Sequence, residues 1–185
     1  MIIGITGTDG AGKGTAVEYL VTSKGFTHFS SSGFIAKEVE RQGLPVSRNQ
    51  LRLTGNELRG KYGDDVLVVT ALNEIKSETN VHAIIESIRA VAEAVTLKKS
   101  GGILLAIDAD KKIRYARVQE RRSEKDKVTF EEFLAHEELE KNDPDPHGMQ
   151  KAKVMEMADF TIVNNEGREA LYTMIDVFLN QYADK

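Results

Sequence analysis

Ile2-Ile3-Gly4-Ile5-Thr6-Gly7-Thr8-Asp9-Gly10-Ala11-Gly12-Lys13-Gly14-Thr15 runs from an apolar stretch through a glycine-rich loop to a lysine, and helical periodicity follows over Lys13–Lys24. A buried strand, a bare loop and a helix start in this order let backbone N–H groups converge on phosphate oxygens, with the helix N-terminus adding positive potential. Gly7, Gly10, Gly12 and Gly14 supply the permissive backbone and Lys13 a mobile charge. The pattern G-x-x-x-x-G-K-[ST] is met from Gly7 to Lys13, but its hydroxyl arrives one residue late, at Thr15 behind Gly14. Asp9, Gly10, Ala11, Gly12, Lys13, Gly14 and Thr15 are therefore the candidate ATP-binding residues. Thr15 places a hydroxyl near Mg2+, or else caps the first helical turn.

Outward from this loop, short apolar runs alternate with helical stretches, the pattern of a parallel sheet covered on both faces. The strands are Ile2–Thr6, Thr27–Ser30, Ala83–Glu86, Ile103–Ile107 and Phe160–Val163. Helices are expected over Lys13–Lys24, Ser32–Gly43, a pair within Ser47–Glu78, Ala90–Lys99, Lys111–Arg122, Phe130–Lys141, Met149–Met157 and Glu166–Tyr182. Ser47 and Thr129 read as N-caps, Thr129 with Glu132 in capping-box spacing. The fold class is α/β: a doubly wound, parallel five-stranded sheet in a single domain over 1–185.

The 185 residues, 41% hydrophobic and 29% charged, fit an ordinary globular domain rather than a disordered or membrane chain. A formal charge of -4 offers no global attraction to nucleic acid, so an anion site must come from clustered Arg and Lys. There is no cysteine, and the first strand begins at Met1, leaving no room for a signal peptide; the expected compartment is the cytoplasm. Apolar runs such as Ile103–Ile107 fall far short of the roughly 20 residues a bilayer span needs. His28, His82, His136 and His147 show no metal-ligand spacing.

The loop's Gly-Lys-Gly-Thr ending resembles the nucleoside monophosphate kinases, adenylate kinase above all. Phe26-Thr27-His28-Phe29-Ser30-Ser31-Ser32-Gly33-Phe34-Ile35-Ala36-Lys37 is similar to their acceptor-binding signature, with Ser32 at the hydroxyl position, Lys37 in place of arginine and Phe34 in place of aspartate. The alternative for Lys37 is a solvated surface charge on the helix. Ile84-Ile85-Glu86-Ser87-Ile88-Arg89 resembles the Asp-Gly-Ile-Arg form of archaeal nucleotide-kinase-like proteins, as does Gly55-Asn56-Glu57-Leu58-Arg59-Gly60-Lys61-Tyr62-Gly63. The resemblance implies that Glu86, with Thr15, organises Mg2+ and that Arg89 holds the acceptor phosphate, unless the two form a local ion pair. Asp9, Ser32, Lys37, Arg59 and Arg89 become the candidate acceptor residues. A strand order of 2-3-1-4-5 and a helical acceptor-binding segment at about 32–80 are implied too.

The charged stretch from Arg114 to Asp145, closed by Asp143-Pro144-Asp145-Pro146, reads as a solvated helical excursion or as a mobile lid over about 118–148. Arg114, Arg117 and Arg121 follow i, i+3, i+7 spacing and so share a helical face. They either converge on the phosphoryl group in flight or pair with Glu120, Glu124 and Asp126. Lys13, Arg89, Arg117 and Arg121 are the candidate catalytic residues. Ala158-Asp159-Phe160-Thr161-Ile162-Val163-Asn164-Asn165-Glu166-Gly167 is similar to a dephospho-coenzyme A kinase motif whose loop lies beside the donor adenine, implicating Asn165 and Gly167. A plain strand-to-helix turn explains the same residues.

The expected activity is ATP- and Mg2+-dependent phosphoryl transfer to a small-molecule nucleotide acceptor, with no nucleic acid or membrane partner. The stretch Thr27–Lys37 favours a nucleoside monophosphate, and Asp9 resembles the loop aspartate of thymidylate kinase. The C-terminal motif favours dephospho-coenzyme A, but Ser30-Ser31-Ser32 stands where that family has Asp-Ala-Asp. A nucleotide switch is the remaining alternative; a switch of the small GTPase type would need an Asn-Lys-x-Asp, which the sequence lacks.

Overall fold

Alternate residues of each central strand face opposite sides, and in the computed structural model, which describes residues 1–76, 82–120 and 128–183, each side is apolar. The strands β1 (Ile2–Gly7), β2 (Thr27–Ser30), β3 (Ala83–Glu86), β4 (Ile103–Asp108) and β5 (Phe160–Val163) form one sheet in the order β2-β3-β1-β4-β5, all pairs parallel. Both the doubly wound class and the strand order agree with the sequence reading. Parallel strands buried on both faces need continuous apolar runs. Ile3, Ile5, Leu105 and Ile107 pack on one side, with Leu20 of α1 (Lys13–Lys24) and Ile175 and Phe178 of α9 (Arg168–Gln181). Ile85, Ile88 and Leu104 pack on the other, with Val68 and Leu72 of α4 (Val66–Lys76), Leu97 of α5 (Val91–Lys99) and Val154 of α8 (Lys151–Glu156). At Gly4 a Cβ would meet Leu97 Cδ2 at 2.1 Å, so the glycine lets α5 seat against the central strand.

Between β2 and β3 the chain makes α2 (Ser31–Arg41), α3 (Arg48–Tyr62) and α4, held by a small cluster of Ile35, Val39 and Leu67. Ser30 caps α2 by accepting from Gly33 N at 3.1 Å, which starts the helix at Ser31, one residue earlier than expected. Ser47 caps α3 through Gln50 N. After β4 come α6 (Lys111–Glu120) and α7 (Phe130–Lys141), the latter begun by the expected Thr129–Glu132 capping box. Among the described residues no helix is long and apolar enough to cross a membrane.

Candidate functional site

The C-terminal ends of β1 and β3, the N-terminus of α1 and the faces of α2 and α3 surround one cleft of about 640 Å³. This is where an open α/β sheet presents a ligand site. Gly10, Lys13, Gly14 and Thr15 line it together with Ser30, Ser31, Ser32, Arg48, Arg52 and Arg59, as do Asp9, Glu86 and Arg89. The glycine loop is steric necessity. Gly12 has φ 106°, and a Cβ there would lie 2.6 Å from Asn164 Nδ2, which donates to Ala11 O at 2.8 Å. Gly10 has φ 81°, and its Cβ would meet the Arg114 carbonyl at 2.4 Å.

Lys13 Nζ donates to the carbonyls of Gly7 at 3.0 Å and Thr8 at 2.7 Å and lies 3.5 Å from Asp9. Burial, opposed by Asp9, pushes its pKa down to about 8. Asp9 accepts from Arg48 Nη1 at 2.7 Å and has Lys151 Nζ at 3.8 Å. Burial opposes its ionisation, but Lys151, Lys13, Arg89 and Arg48 outweigh it and hold the carboxyl well below the usual range. Glu86 pairs with His28 Nε2 at 3.1 Å, and that hydrogen bond lowers its pKa. Glu86 and Thr15 both line the cleft and both offer oxygen, the donor type Mg2+ takes beside substrate phosphates and water.

Not every candidate lies in the cleft. Lys37 is on the exposed face of α2, away from the cleft lining, where the serine-capped start of the helix turns it. The cations that α3 presents instead are Arg48 and Arg52, which the sequence reading passed over because nothing in their spacing marks them. Arg52 donates to Asp143 at 2.9 Å. Arg59 reaches the cleft wall but makes two bonds to Glu93 Oε1, at 2.9 and 2.8 Å, with both side chains buried. Ser32 lines the cleft and shares a hydrogen bond with Ser30, while Ser31 Oγ is buried with no partner among the described residues.

Of the arginines expected to share a face on α6, Arg114 is buried. It forms a two-pronged ion pair with Glu137 of α7, donates to Ala109 O and Asp9 O, and stacks over Phe133, so it braces the loop from beneath. Arg117 donates to Asn164 O at 2.9 Å, outside the cleft lining. Arg121 lies outside the described residues. In the loop after β5, Asn165 is exposed and accepts from Asp110 N, and Gly167 caps α9 with φ 105°. The side chain that touches the glycine loop is its neighbour Asn164.

A family model described as AAA domain matches residues 3–144. Over 166 residues the chain is 30% identical to a UPF0200 protein of Methanococcus maripaludis, covering 88% of this chain and 87% of the relative. The chain belongs to the AAA-domain and UPF0200 families. This UPF0200 chain also resembles TT1252 from Thermus thermophilus, with a TM-score of 0.63 at 22% identity over 98% of this chain and 97% of that one. The shikimate kinase from Acinetobacter baumannii in complex with shikimate gives 0.58 at 18% identity, over 97% and 93%. The fold is that of P-loop kinases, as the glycine loop implied.

Proposed function

We propose that this chain is a nucleotide kinase: it moves the γ-phosphoryl group of ATP to a small nucleotide acceptor, a nucleoside monophosphate in the first instance. The observation that carries this is one continuous cleft whose lining combines the glycine loop and Lys13 with Arg48, Arg52, Arg89 and the serines of α2. Phosphoryl transfer needs alignment and charge neutralisation more than a nucleophilic side chain, so this inventory suffices. The glycine loop and Lys13 hold the β- and γ-phosphates; Asp9, Ser32, Arg48 and Arg89 orient the acceptor. Thr15 and Glu86 would hold Mg2+, which when bound neutralises phosphate oxygens. Asn165 and Gly167 border the donor base, and the lid expected over about 118–148, of which 121–127 lie outside the described residues, closes to exclude water.

The cleft carboxylates favour a phosphate over a hydroxyl acceptor. A hydroxyl needs a general base with a pKa near the working pH, and the cleft carboxylates Asp9, Glu86 and Glu140 are all shifted down, away from it. A phosphate arrives already ionised and needs none. Dephospho-coenzyme A and shikimate-type acceptors are accordingly placed second. ADP release from Mg-ATP, measured across all ribo- and deoxyribonucleoside monophosphates and dephospho-coenzyme A against a no-acceptor control, tests the reading. One monophosphate well above the control is expected; a panel that never exceeds the control defeats it.

A further inference from the structure

The cleft's cations differ in how firmly the protein already holds them. Arg59 is locked to buried Glu93, and Arg52 to Asp143, whose side chain is fully buried. Arg48 is bonded to Asp9. Arg89 is held by its backbone instead: Glu93 Oε2 accepts from Arg89 N at 2.8 Å, and Gln150 N donates to Arg89 O at 2.8 Å. Its guanidinium has the thioether of Met149 at 3.4 Å and Glu140 Oε1 at 3.6 Å, an ion pair longer than a hydrogen bond. Glu140 also accepts from Lys151, a buried lysine whose other neighbour is Asp9.

Glu140 is in a contested position. It sits in the last turn of α7, where the helix dipole disfavours a carboxylate. Burial and Asp9 also oppose its ionisation, but Arg89 and Lys151 outweigh them and hold its pKa below the ordinary glutamate value. It lines the cleft beside Arg89, so an incoming anion can reach the same guanidinium, while Lys151 lies buried outside the lining.

We propose that Glu140 is a resident carboxylate occupying the acceptor's anion subsite, which an acceptor anion must displace from Arg89 before it binds. The proposal rests on the kinase reading for where in the cleft the acceptor sits. Displacing Glu140 costs every anion the same free energy, so the carboxylate lowers affinity without changing the order of preference. The preference lies with Arg89: a phosphate dianion brings its guanidinium fork an additional charge and more acceptor oxygens than a carboxylate monoanion does.

The test uses phenyl phosphate and benzoate, a dianion and a monoanion on the same ring, titrated calorimetrically into the full chain saturated with Mg-ADP at pH 7.5. Wild type is expected to bind phenyl phosphate at least about ten-fold more tightly than benzoate. Glu140→Gln and Glu140→Ala are each expected to tighten both anions by a common factor, about ten-fold, and so to leave their ratio near that of wild type. Arg89→Gln weakens both anions. Variants that melt like wild type but leave both affinities unchanged, or that tighten the dianion far more than the monoanion, as removal of a carboxylate that merely repels from its place would, overturn the proposal, as does a wild type that binds neither anion. A failed acceptor panel with both anions tightened would remove the kinase reading alone; a productive panel with unchanged anion affinities would remove this inference alone.

Discussion

Ser87 has φ 73° and is buried at the cleft wall, in a backbone region where a Cβ costs roughly 1 kcal/mol. The archaeal form of this segment that the sequence resembles has glycine there, and the positive φ is the reason. Ser87→Gly is expected to stabilise the fold by about 0.5–1 kcal/mol in urea denaturation, and a loss of stability would show that the serine side chain compensates its own strain. Lys13 makes a second prediction. Its folded pKa of about 8 lies below the ordinary lysine value of 10.5, so between these the unfolded chain binds more protons and the contribution of this site to stability rises with pH. Bound polyphosphate reverses the shift, so nucleotide binding takes up a proton: about half at pH 8 and about a tenth at pH 7. Calorimetry in buffers of different ionisation enthalpy reads this directly; Lys13→Arg is expected to take up none. At this scale the glycine loop was legible because its chemistry is contiguous in the chain. Arg48, Lys151 and Glu140 were not, because they meet Asp9 and Arg89 only through the packing of α3, α7 and α8.

Elements were legible where the chain marks its own ends. Helix α1 agrees with its reading at both bounds, with Gly12 and Gly25 both left-handed at its caps. Helix α7 agrees because Thr129 and Glu132 satisfy its first N–H groups. Helices α8 and α9 begin two residues later than read, at Lys151 and Arg168, and neither has a side-chain cap to announce it. The excursion read as solvated is anchored: α6 and α7 share the buried Arg114–Glu137 pair, and Arg114 carries the carbonyl that Gly10 must avoid. Removing one member of a buried pair strands the other charge. Glu137→Ala is therefore expected to cost about 3 kcal/mol in denaturant unfolding and to weaken nucleotide binding, although Glu137 is not among the cleft residues. A variant that lost stability with unchanged nucleotide affinity would separate the α6–α7 brace from the loop above it.

At the scale of the molecule, strand apolarity pointed to the doubly wound class, while the strand order came through resemblance, since periodicity alone does not say which strands are neighbours. Nor does it say what fastens the α2–α4 segment to the sheet. Val68 and Leu72 of α4 pack on it, and a buried ion pair adds to that packing: Arg59 reaches from α3 to Glu93 on α5, whose other oxygen accepts from Arg89 N and Ala90 N. If this pair is a structural tie, Arg59→Met and Glu93→Leu are each expected to cost about 3–5 kcal/mol, and the double variant much less than their sum, because two apolar side chains leave no stranded charge. If Arg59 instead serves mainly to bind the acceptor, Arg59→Met alone would leave stability near wild type and raise the acceptor KM. Unfolding curves for the four proteins, run beside acceptor titrations, distinguish the two: strong coupling in stability assigns the pair to the architecture, and a KM effect without it assigns Arg59 to the substrate.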